Sequence, residues 1–242
     1  MRRWLTVTVA LLASLCASST SSQRYDRIFI VPAPKGVVVD GDLRDWDLSA
    51  AIESAFDEAL RPRFTFRVAL MYDAQALYIG AHFFDDTPML NRHDPSVEPN
   101  RGWDGDALQV RLCSDPTAPY PLPNSNSDRI FHLTIWYYTD KQLPVLHIQY
   151  GMDYRGTRIW TGKASGVAFR KDKDGKGYTL EACIPWERLN AKGSPPKAGD
   201  RIAIVVQPLW GDSTGWRSVC TFNEVIRETG FSFLNASVWG QG

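Results

Sequence analysis

Pairs of carboxylates next to turns are the first feature of this sequence that could do chemistry. They occur at Asp40 and Asp42, at Asp85 and Asp86, and at Asp104 and Asp106. Hard cations such as Ca²⁺ need several oxygen ligands, and loops between strands can offer carboxylates and backbone carbonyls together. Aspartate is also frequent in turns because its side chain accepts hydrogen bonds from nearby backbone. The pattern leaves both interpretations open, a cation site and ordinary turn chemistry.

Tryptophans in polar surroundings are the second candidate feature. Trp103 lies in the polar segment NRGWDGD, and Trp210 and Trp216 flank residues 211–215. Aromatic rings stack on the apolar C–H faces of sugars, while polar side chains around them bind the hydroxyl groups. Tryptophan is also highly buried on average. Each of these residues is therefore either a binding platform or part of the core.

Catalytic constellations are hard to find. The sequence has no glycine-rich phosphate loop, no nucleophile elbow and no helix with paired zinc-binding histidines. Its histidines fall mostly in strand-like segments, where a surface or hydrogen-bonded core imidazole is the simplest interpretation. The late glutamates, among them Glu181, stand in no recognisable catalytic frame. We therefore expect a protein that is not an enzyme.

Charge and length exclude further classes. The 242 residues carry 27 lysines and arginines against 27 acidic residues. A balanced charge argues against a dedicated nucleic-acid binder, which needs a basic surface. Beyond the N-terminus, no apolar run approaches the length of a membrane-spanning helix. We expect neither a nucleic-acid partner nor a stable membrane span after removal of the N-terminal segment.

Residues 1–22 have the pattern of a secretory signal peptide. Arg2 and Arg3 precede an apolar stretch from residue 4 to 15, and small residues follow. A secreted or periplasmic location is expected, with a short membrane anchor or a lipid on Cys16 as alternatives. Cleavage leaves three cysteines, so at most one disulfide forms. We expect Cys113 and Cys183 to be free thiols in apolar strands.

The rest of the chain is dominated by strand patterns. Alternating apolar and polar residues predict strands at residues 64–72, 76–84, 107–113, 130–138, 145–150, 166–170, 178–184, 201–208, 216–222 and 230–234. Helical signals are limited to residues 49–60 and to one turn at 186–189. Residues 86–105 and 114–128 read as long loops, which are often functional. We predict an all-β fold, an antiparallel β-sandwich of the jelly-roll type, forming a single domain over residues 24–242.

Five segments in order carry a resemblance to a known family. They are VVVDGDLRDW (37–46), RVALMYDAQALYIGAHFFDD (67–86), GWDGDALQVRL (102–112), FHLTIWYYT (131–139) and GYTLEACIPWERL (177–189). In sequence and spacing they are similar to carbohydrate-binding module family 9. The resemblance implies a secreted, non-catalytic β-sandwich that binds plant-type glycans such as xylan or cellulose, with calcium as structural support.

The resemblance also implies roles for particular residues. Trp103 matches a tryptophan that stacks on the sugar, and Asp85 and Asp106 match metal ligands. Gln109 stands where the family has a sugar-binding glutamate. The remaining polar sugar contacts, arginine and asparagine in the family, correspond to His132 and Thr134. The family's second stacking tryptophan falls near residues 223–230, which have none, so Trp216 or Trp210 would have to replace it.

The sequence leaves two other functions open. A related sandwich group binds haem through methionine paired with histidine or lysine. The candidate axial residues are Met71, Met89 and Met152 with His82, His132 or His147. The second alternative is a partner-binding sandwich that has lost its sugar site.

Overall fold

The computed structural model describes residues 25, 27–55, 57–220, 233 and 235–242. The strands in this part of the chain are β1 Ile30–Pro32, β2 Ile52–Ala55, β3 Thr65–Tyr72, β4 Ala76–Phe84, β5 Ala107–Cys113, β6 Ile130–Tyr138, β7 Leu143–Tyr150, β8 Gly156–Thr161, β9 Val167–Lys171, β10 Gly177–Pro185, β11 Ala203–Gly211, β12 Ser218–Cys220 and β13 Gly240–Gln241. Single 3₁₀ turns occur at Leu43–Asp45, Glu58–Leu60, Pro99–Arg101, Thr139–Lys141, Gly162–Ser165, Trp186–Leu189 and Ala236–Val238.

The strands form two sheets packed face to face. One sheet has the order β1-β3-β4-β10-β9, with β2 also paired to β3. The other has the order β12-β11-β5-β6-β7-β8, with β13 also paired to β11. Neighbouring named strands run antiparallel except β1 and β3. The predicted all-β antiparallel sandwich is confirmed.

The core lies between the sheets, and its aromatic residues follow from the strand alternation. Phe83 on β4 stacks on Tyr178 of β10, with ring centroids 4.6 Å apart and an interplanar angle of 6°. Phe66 on β3 meets Phe83 edge-on at 4.8 Å. Fully burying one such side chain contributes about 1.5–3 kcal/mol. Phe83 also meets Trp210 of the seven-stranded sheet edge-on at 5.9 Å, so this cluster helps to hold the two sheets together.

The predicted helix at residues 49–60 is wrong. The structure forms strand β2 there, paired with β3, followed by a single 3₁₀ turn. Asp57 caps that turn, its side chain accepting a hydrogen bond from the N–H of Ala59 at 2.7 Å. An available sheet edge outweighed a weak helical preference in this short segment. The predicted turn at Trp186–Leu189 is confirmed, whereas β1, β8 and β13 were not predicted.

Several predictions fall outside the described residues, namely the signal peptide at 1–22, Cys16 and the segment 223–230. Within the described part, no helix is both long and apolar enough to cross a membrane. Cys113 and Cys183 are free, as expected, and Cys113 is buried. The strand predicted at 230–234 also lies almost wholly beyond the described residues.

A loop over the outer face of the six-stranded sheet is held by one buried glutamate. Glu181 on β10 accepts hydrogen bonds from three successive backbone N–H groups, at Asp40 (2.7 Å), Gly41 and Asp42 (3.1 Å), and from the indole N–H of Trp46. It is fully buried. Burial raises the pKa of Glu181, although the four donors oppose that shift. Two of the segments that carry the family resemblance thus meet at a single carboxylate.

Candidate functional site

Polar side chains line up across the outer face of the seven-stranded sheet. The register places Gln207, Gln109, Thr134 and His147 side by side on β11, β5, β6 and β7, and a parallel row contains Arg111, His132, Gln149 and Thr157. We call these eight residues the polar face. The residues that alternate with them, such as Val110 and Leu133, point into the core. On each of these strands, successive residues therefore point alternately into the core and toward the candidate site.

Hydrogen bonds link three strands within the polar face. The Arg111 guanidinium donates to the side-chain oxygens of Gln207 and Gln109, each at 2.8 Å. The amide nitrogen of Gln109 in turn donates to the hydroxyl of Thr134 at 3.1 Å. The structure thus brings together Gln109 and Thr134, two of the residues predicted to bind sugar. Gln109 is half-buried and Thr134 is buried.

Arg111 was not predicted as a site residue. It lies two positions after Gln109 on β5, so strand alternation alone placed both on one face. Its guanidinium fixes which way the Gln109 amide points, because only the oxygen of that amide can accept a hydrogen bond. A cationic side chain therefore lies on this face directly opposite His132, on the neighbouring strand.

His132 lies beneath aromatic side chains rather than at the surface. Its ring centroid is 4.9 Å from that of Tyr154 and 5.8 Å from that of Trp239. Only 4% of His132 is exposed, and its Nε2 atom has no hydrogen-bond partner. Burial, helped by the nearby charge of Arg111, lowers the pKa of His132 to about 3, so the imidazole is neutral at pH 7.

The neighbouring His147 is also neutral. It is buried, and its Nε2 atom is hydrogen-bonded to the hydroxyl of Thr157. Burial lowers the pKa of His147 to about 4. The polar face therefore combines one buried guanidinium with two uncharged imidazoles at neutral pH.

Trp103 lies at the other end of the polar face. Its loop rests on Trp136, the outer-face residue two positions after Thr134, and Gly102 packs so closely on the Trp136 ring that a Cβ atom would not fit. The Trp136 indole also donates to the carbonyl of His93 at 3.1 Å. The ring of Trp103 remains 41% exposed. This position is compatible with the predicted stacking role.

Trp216 lies at the same end and is 46% exposed. Its ring meets that of buried His93 edge-on, with centroids 5.3 Å apart. His93 is fixed by Glu98, since Nδ1 lies 2.8 Å from the carboxylate. Close by in sequence, Ser218 donates from its hydroxyl to the carbonyl of Trp103 at 2.7 Å. The structure therefore brings Trp103 and Trp216 into one loop cluster.

Trp210 cannot serve as a second stacking residue. It is fully buried, and its indole N–H donates to the carbonyl of Phe84 at 2.9 Å. Its ring packs against Phe83 and Phe64 in the core. The suggested replacement by Trp210 is wrong because β11 directs this side chain between the sheets. Of the two candidates, Trp216 alone remains.

Asn91 organises the long loop that carries Trp103, a role that sequence reasoning missed. Its amide nitrogen donates to the carbonyls of Gly102 (2.8 Å) and Asp106 (3.1 Å), while its side-chain oxygen accepts from the N–H of His93 (3.1 Å). The side chain is fully buried. A buried amide with every group satisfied fixes a loop of this length against the sheet. In the sequence, a buried asparagine in a polar loop cannot be distinguished from an asparagine at the surface.

Asp85 and Asp106 lie side by side under that loop. Asp106 accepts hydrogen bonds from the N–H groups of Leu90 (2.7 Å) and Gly211 (2.6 Å). Asp85 accepts from the N–H of Thr87 with one oxygen, at 2.8 Å, while its other oxygen is buried without a partner. Burial and the adjacent charge of Asp85 raise the pKa of Asp106 well above its ordinary value. Two buried carboxyl groups thus share one site.

This pair fits a hard cation in its chemistry. The unpartnered Asp85 oxygen and the repulsion between two buried carboxylates are both relieved when a divalent cation binds them. Within the described residues there is no cluster of three or more His, Cys, Asp or Glu side chains. The other ligands of a cation here would be backbone carbonyls and water, which calcium accepts readily.

Two of the residues considered for haem ligation, Met71 and His82, have other contacts. The sulfur of Met71 accepts the N–H of Asp47 at 3.4 Å on the six-stranded sheet. His82, on the same sheet, is hydrogen-bonded to Asp172 at 2.9 Å. His132 and His147 lie on the other sheet. Nothing among these contacts favours a methionine–histidine pair.

The family of the chain is shown by comparison with known proteins. A family model described as carbohydrate family 9 binding domain-like matches residues 44–242. The chain belongs to this family. A search of curated proteins finds no match.

Solved structures of the family share the fold. A family 9 carbohydrate-binding module from Caldicellulosiruptor kristjanssonii in complex with cellotriose is 19% identical, with a TM-score of 0.54, covering 89% of this chain and 91% of that one. The glucose complex from the same organism is 18% identical, with a TM-score of 0.54, covering 89% and 93%. At this identity the similarity shows the fold, and the ligands named belong to those proteins.

Proposed function

We propose that the protein binds carbohydrate without cleaving it, using the polar face and the two tryptophans at its end. One observation carries the proposal: Trp103 and Trp216, both partly exposed, lie in one loop cluster beside a row of ordered amide and hydroxyl groups. Family membership and the two sugar complexes among the solved structures that share the fold support the same conclusion. The ligand class we propose is a neutral plant-type glycan of the cellulose or xylan kind.

The chemistry of such a site follows from its parts. Trp103 would stack on the apolar face of a sugar ring, and Gln109 would bind a hydroxyl group. Arg111 already holds the oxygen of the Gln109 amide, so little side-chain entropy is lost when the sugar binds. Predicted contacts by Thr134 and His132 remain proposals, and both side chains are buried, so they would act mainly by supporting groups nearer the ligand.

A titration with matched variants tests this proposal. Cellotriose and xylotriose are added to the protein lacking residues 1–22, and binding is followed by calorimetry and tryptophan fluorescence. Trp103→Ala should weaken binding about tenfold or more, because a stacking platform is removed. Phe29→Ala removes a 70% exposed aromatic from the segment just before β1, outside the polar face and the Trp103 loop, and should leave binding unchanged. If a folded wild-type protein binds neither sugar, the proposal is wrong and a partner-binding sandwich becomes the better account.

We also propose that Asp85 and Asp106 hold a structural calcium ion beneath the Trp103 loop. Support comes from the unpartnered Asp85 oxygen and the two coupled carboxyl groups. Calcium at 100 times its Kd should raise the free energy of unfolding by about 2.7 kcal/mol. Asp106→Asn should abolish that increase while the protein without calcium stays folded, because one of the two like charges has been removed. An equal calcium response in wild type and variant would refute the site.

Export completes the proposal. We propose that residues 1–22 direct the chain out of the cytoplasm, to the periplasm or beyond the cell, where polymeric glycans are found. The support is the charged, apolar and small-residue order of this segment. Detection of a mature N-terminus close to residue 23 in the exported fraction would agree with it, and retention of the full chain in the cytoplasm would not.

A further inference from the structure

Tyr154 covers the end of the polar face that lies away from Trp103. It belongs to the turn between β7 and β8, and its ring lies 4.9 Å from His132, centroid to centroid. The Tyr154 hydroxyl donates to the carbonyl of Phe233 at 3.0 Å, which fixes the ring in place. The residue is half-buried, so part of it remains open to solvent. An oriented aromatic surface therefore stands over a buried histidine.

The two aromatic ends are separated by the length of the polar face. Trp136, which supports the Trp103 loop, and His132, which supports Tyr154, are four residues apart on the same face of β6. At about 3.3 Å per residue this corresponds to about 13 Å. The half-buried amide of Gln109 lies between these ends. The span exceeds one hexose ring and suits a chain of linked sugars.

We propose that Tyr154 forms a second sugar contact, so that the site recognises a linked oligosaccharide rather than a single sugar. This inference rests on the proposed function and deepens it. Trp103 would bind one unit of the chain, and Tyr154 a unit further along. His132 then acts as a positioning residue, because its imidazole contacts both the Tyr154 ring and the buried Trp239 ring and so supports the Tyr154 ring from below.

The backbone of Tyr154 decides which variant tests this role. Its φ angle is +54°, in the left-handed region that asparagine tolerates better than most residues. Tyr154→Asn therefore removes the ring while keeping the turn. Tyr154→Phe keeps the ring and removes only the hydrogen bond to Phe233. The two variants separate the aromatic surface from its anchor.

Affinities for glucose and cellotriose, measured by calorimetry on wild type and both variants, test the inference. Wild type should bind cellotriose about tenfold more tightly than glucose, because only the longer ligand reaches both aromatic ends. Tyr154→Asn should weaken cellotriose binding about tenfold and leave glucose binding within about twofold. Tyr154→Phe should keep the wild-type preference for cellotriose over glucose. If Tyr154 acted only through its hydrogen bond to Phe233, this variant would lose that preference.

The outcomes separate this inference from the proposed function. Glucose and cellotriose bound equally by wild type would overturn the second contact while leaving sugar binding in place. The same holds if folded Tyr154→Asn retains the full preference for cellotriose, or weakens both sugars alike. Absence of binding to either sugar by wild type would overturn both proposals together.

Discussion

The two outer faces of the sandwich differ in how completely their buried polar groups are hydrogen-bonded. On the six-stranded sheet, Glu181 receives four N–H donors from a single loop. On the seven-stranded sheet, His132 keeps a buried nitrogen without a hydrogen-bond partner, beside a half-buried amide and partly exposed tryptophans. The first arrangement leaves no group free to bind a ligand, whereas the second does.

This difference indicates separate roles for the two faces. A fully satisfied buried carboxylate fixes a loop, and its removal leaves several donors unpaired at once. A polar face with unused hydrogen-bonding capacity costs stability and is expected where function requires it. Under the proposed function, the six-stranded outer face contributes to stability and the seven-stranded one to recognition.

The largest effect should come from Glu181. Glu181→Ala should lower the free energy of unfolding by about 3–5 kcal/mol, since four buried donors lose their acceptor. Glu181→Gln should cost less, because its amide oxygen can still accept from the backbone. Urea unfolding measures both. Sugar affinity per folded molecule should stay at the wild-type value in each variant, and a specific loss of affinity would contradict the division of roles.

An intermediate effect should come from the histidines of the polar face. Both titrate far below the ordinary value of 6.5 in the folded protein, His132 at about 3 and His147 at about 4. As the pH falls below 6.5, the unfolded chain takes up protons that the folded chain does not. Stability is therefore lost as the pH falls, at up to about 1.4 kcal/mol per pH unit for each histidine.

Substitution of the two histidines separates their contribution to the pH dependence of stability from that of the carboxylates. Between pH 6 and pH 4.5, His132→Gln should remove the contribution of His132 to the slope of the free energy of unfolding against pH. The double variant with His147→Gln should remove the contributions of both histidines. The free energy of unfolding at each pH gives the slopes. If wild type and the double variant lose stability in parallel over this range, the histidines are not held neutral by burial.

The smallest effect should come from an exposed ion pair on the six-stranded sheet. Arg67 and Glu53 lie opposite each other on β3 and β2, with a nitrogen–oxygen distance of 2.5 Å and with 60% and 35% of their side chains exposed. Arg67→Ala should change the free energy of unfolding by no more than about 0.5 kcal/mol. A loss approaching that of Glu181→Ala would show that this face depends on surface charge rather than on its buried carboxylate.

Strand alternation predicted the fold well and the arrangement of the site in part. The runs 76–84, 107–113 and 130–138 form strands with those bounds, because alternate residues of each run point to opposite faces of its sheet. The same alternation places Gln109 and Thr134 on one face. Short strands such as β1 and β13 depend on a partner edge that lies far away in sequence.

The missed site residues depend on tertiary contacts. Tyr154 follows from the conformation of a turn and from its contact with His132, neither of which appears as a periodic pattern. Burial of Trp210 and exposure of Trp216 depend on where β11 ends. His132 was predicted to contact the sugar because it corresponds to a sugar-binding position of the family. The aromatic residues that cover it, Tyr154 and Trp239, lie in a later turn and near the C-terminus, where the sequence gives no sign of the contact.

Calorimetric titration with cellotriose of the protein lacking residues 1–22, in parallel with Trp103→Ala and Glu181→Gln, tests whether the polar face and Trp103 bind sugar. We expect saturable binding to wild type and to Glu181→Gln, and at least a tenfold loss of affinity with Trp103→Ala. Absence of heat with a folded wild type, or equal binding by Trp103→Ala, would contradict the assignment of recognition to the polar face.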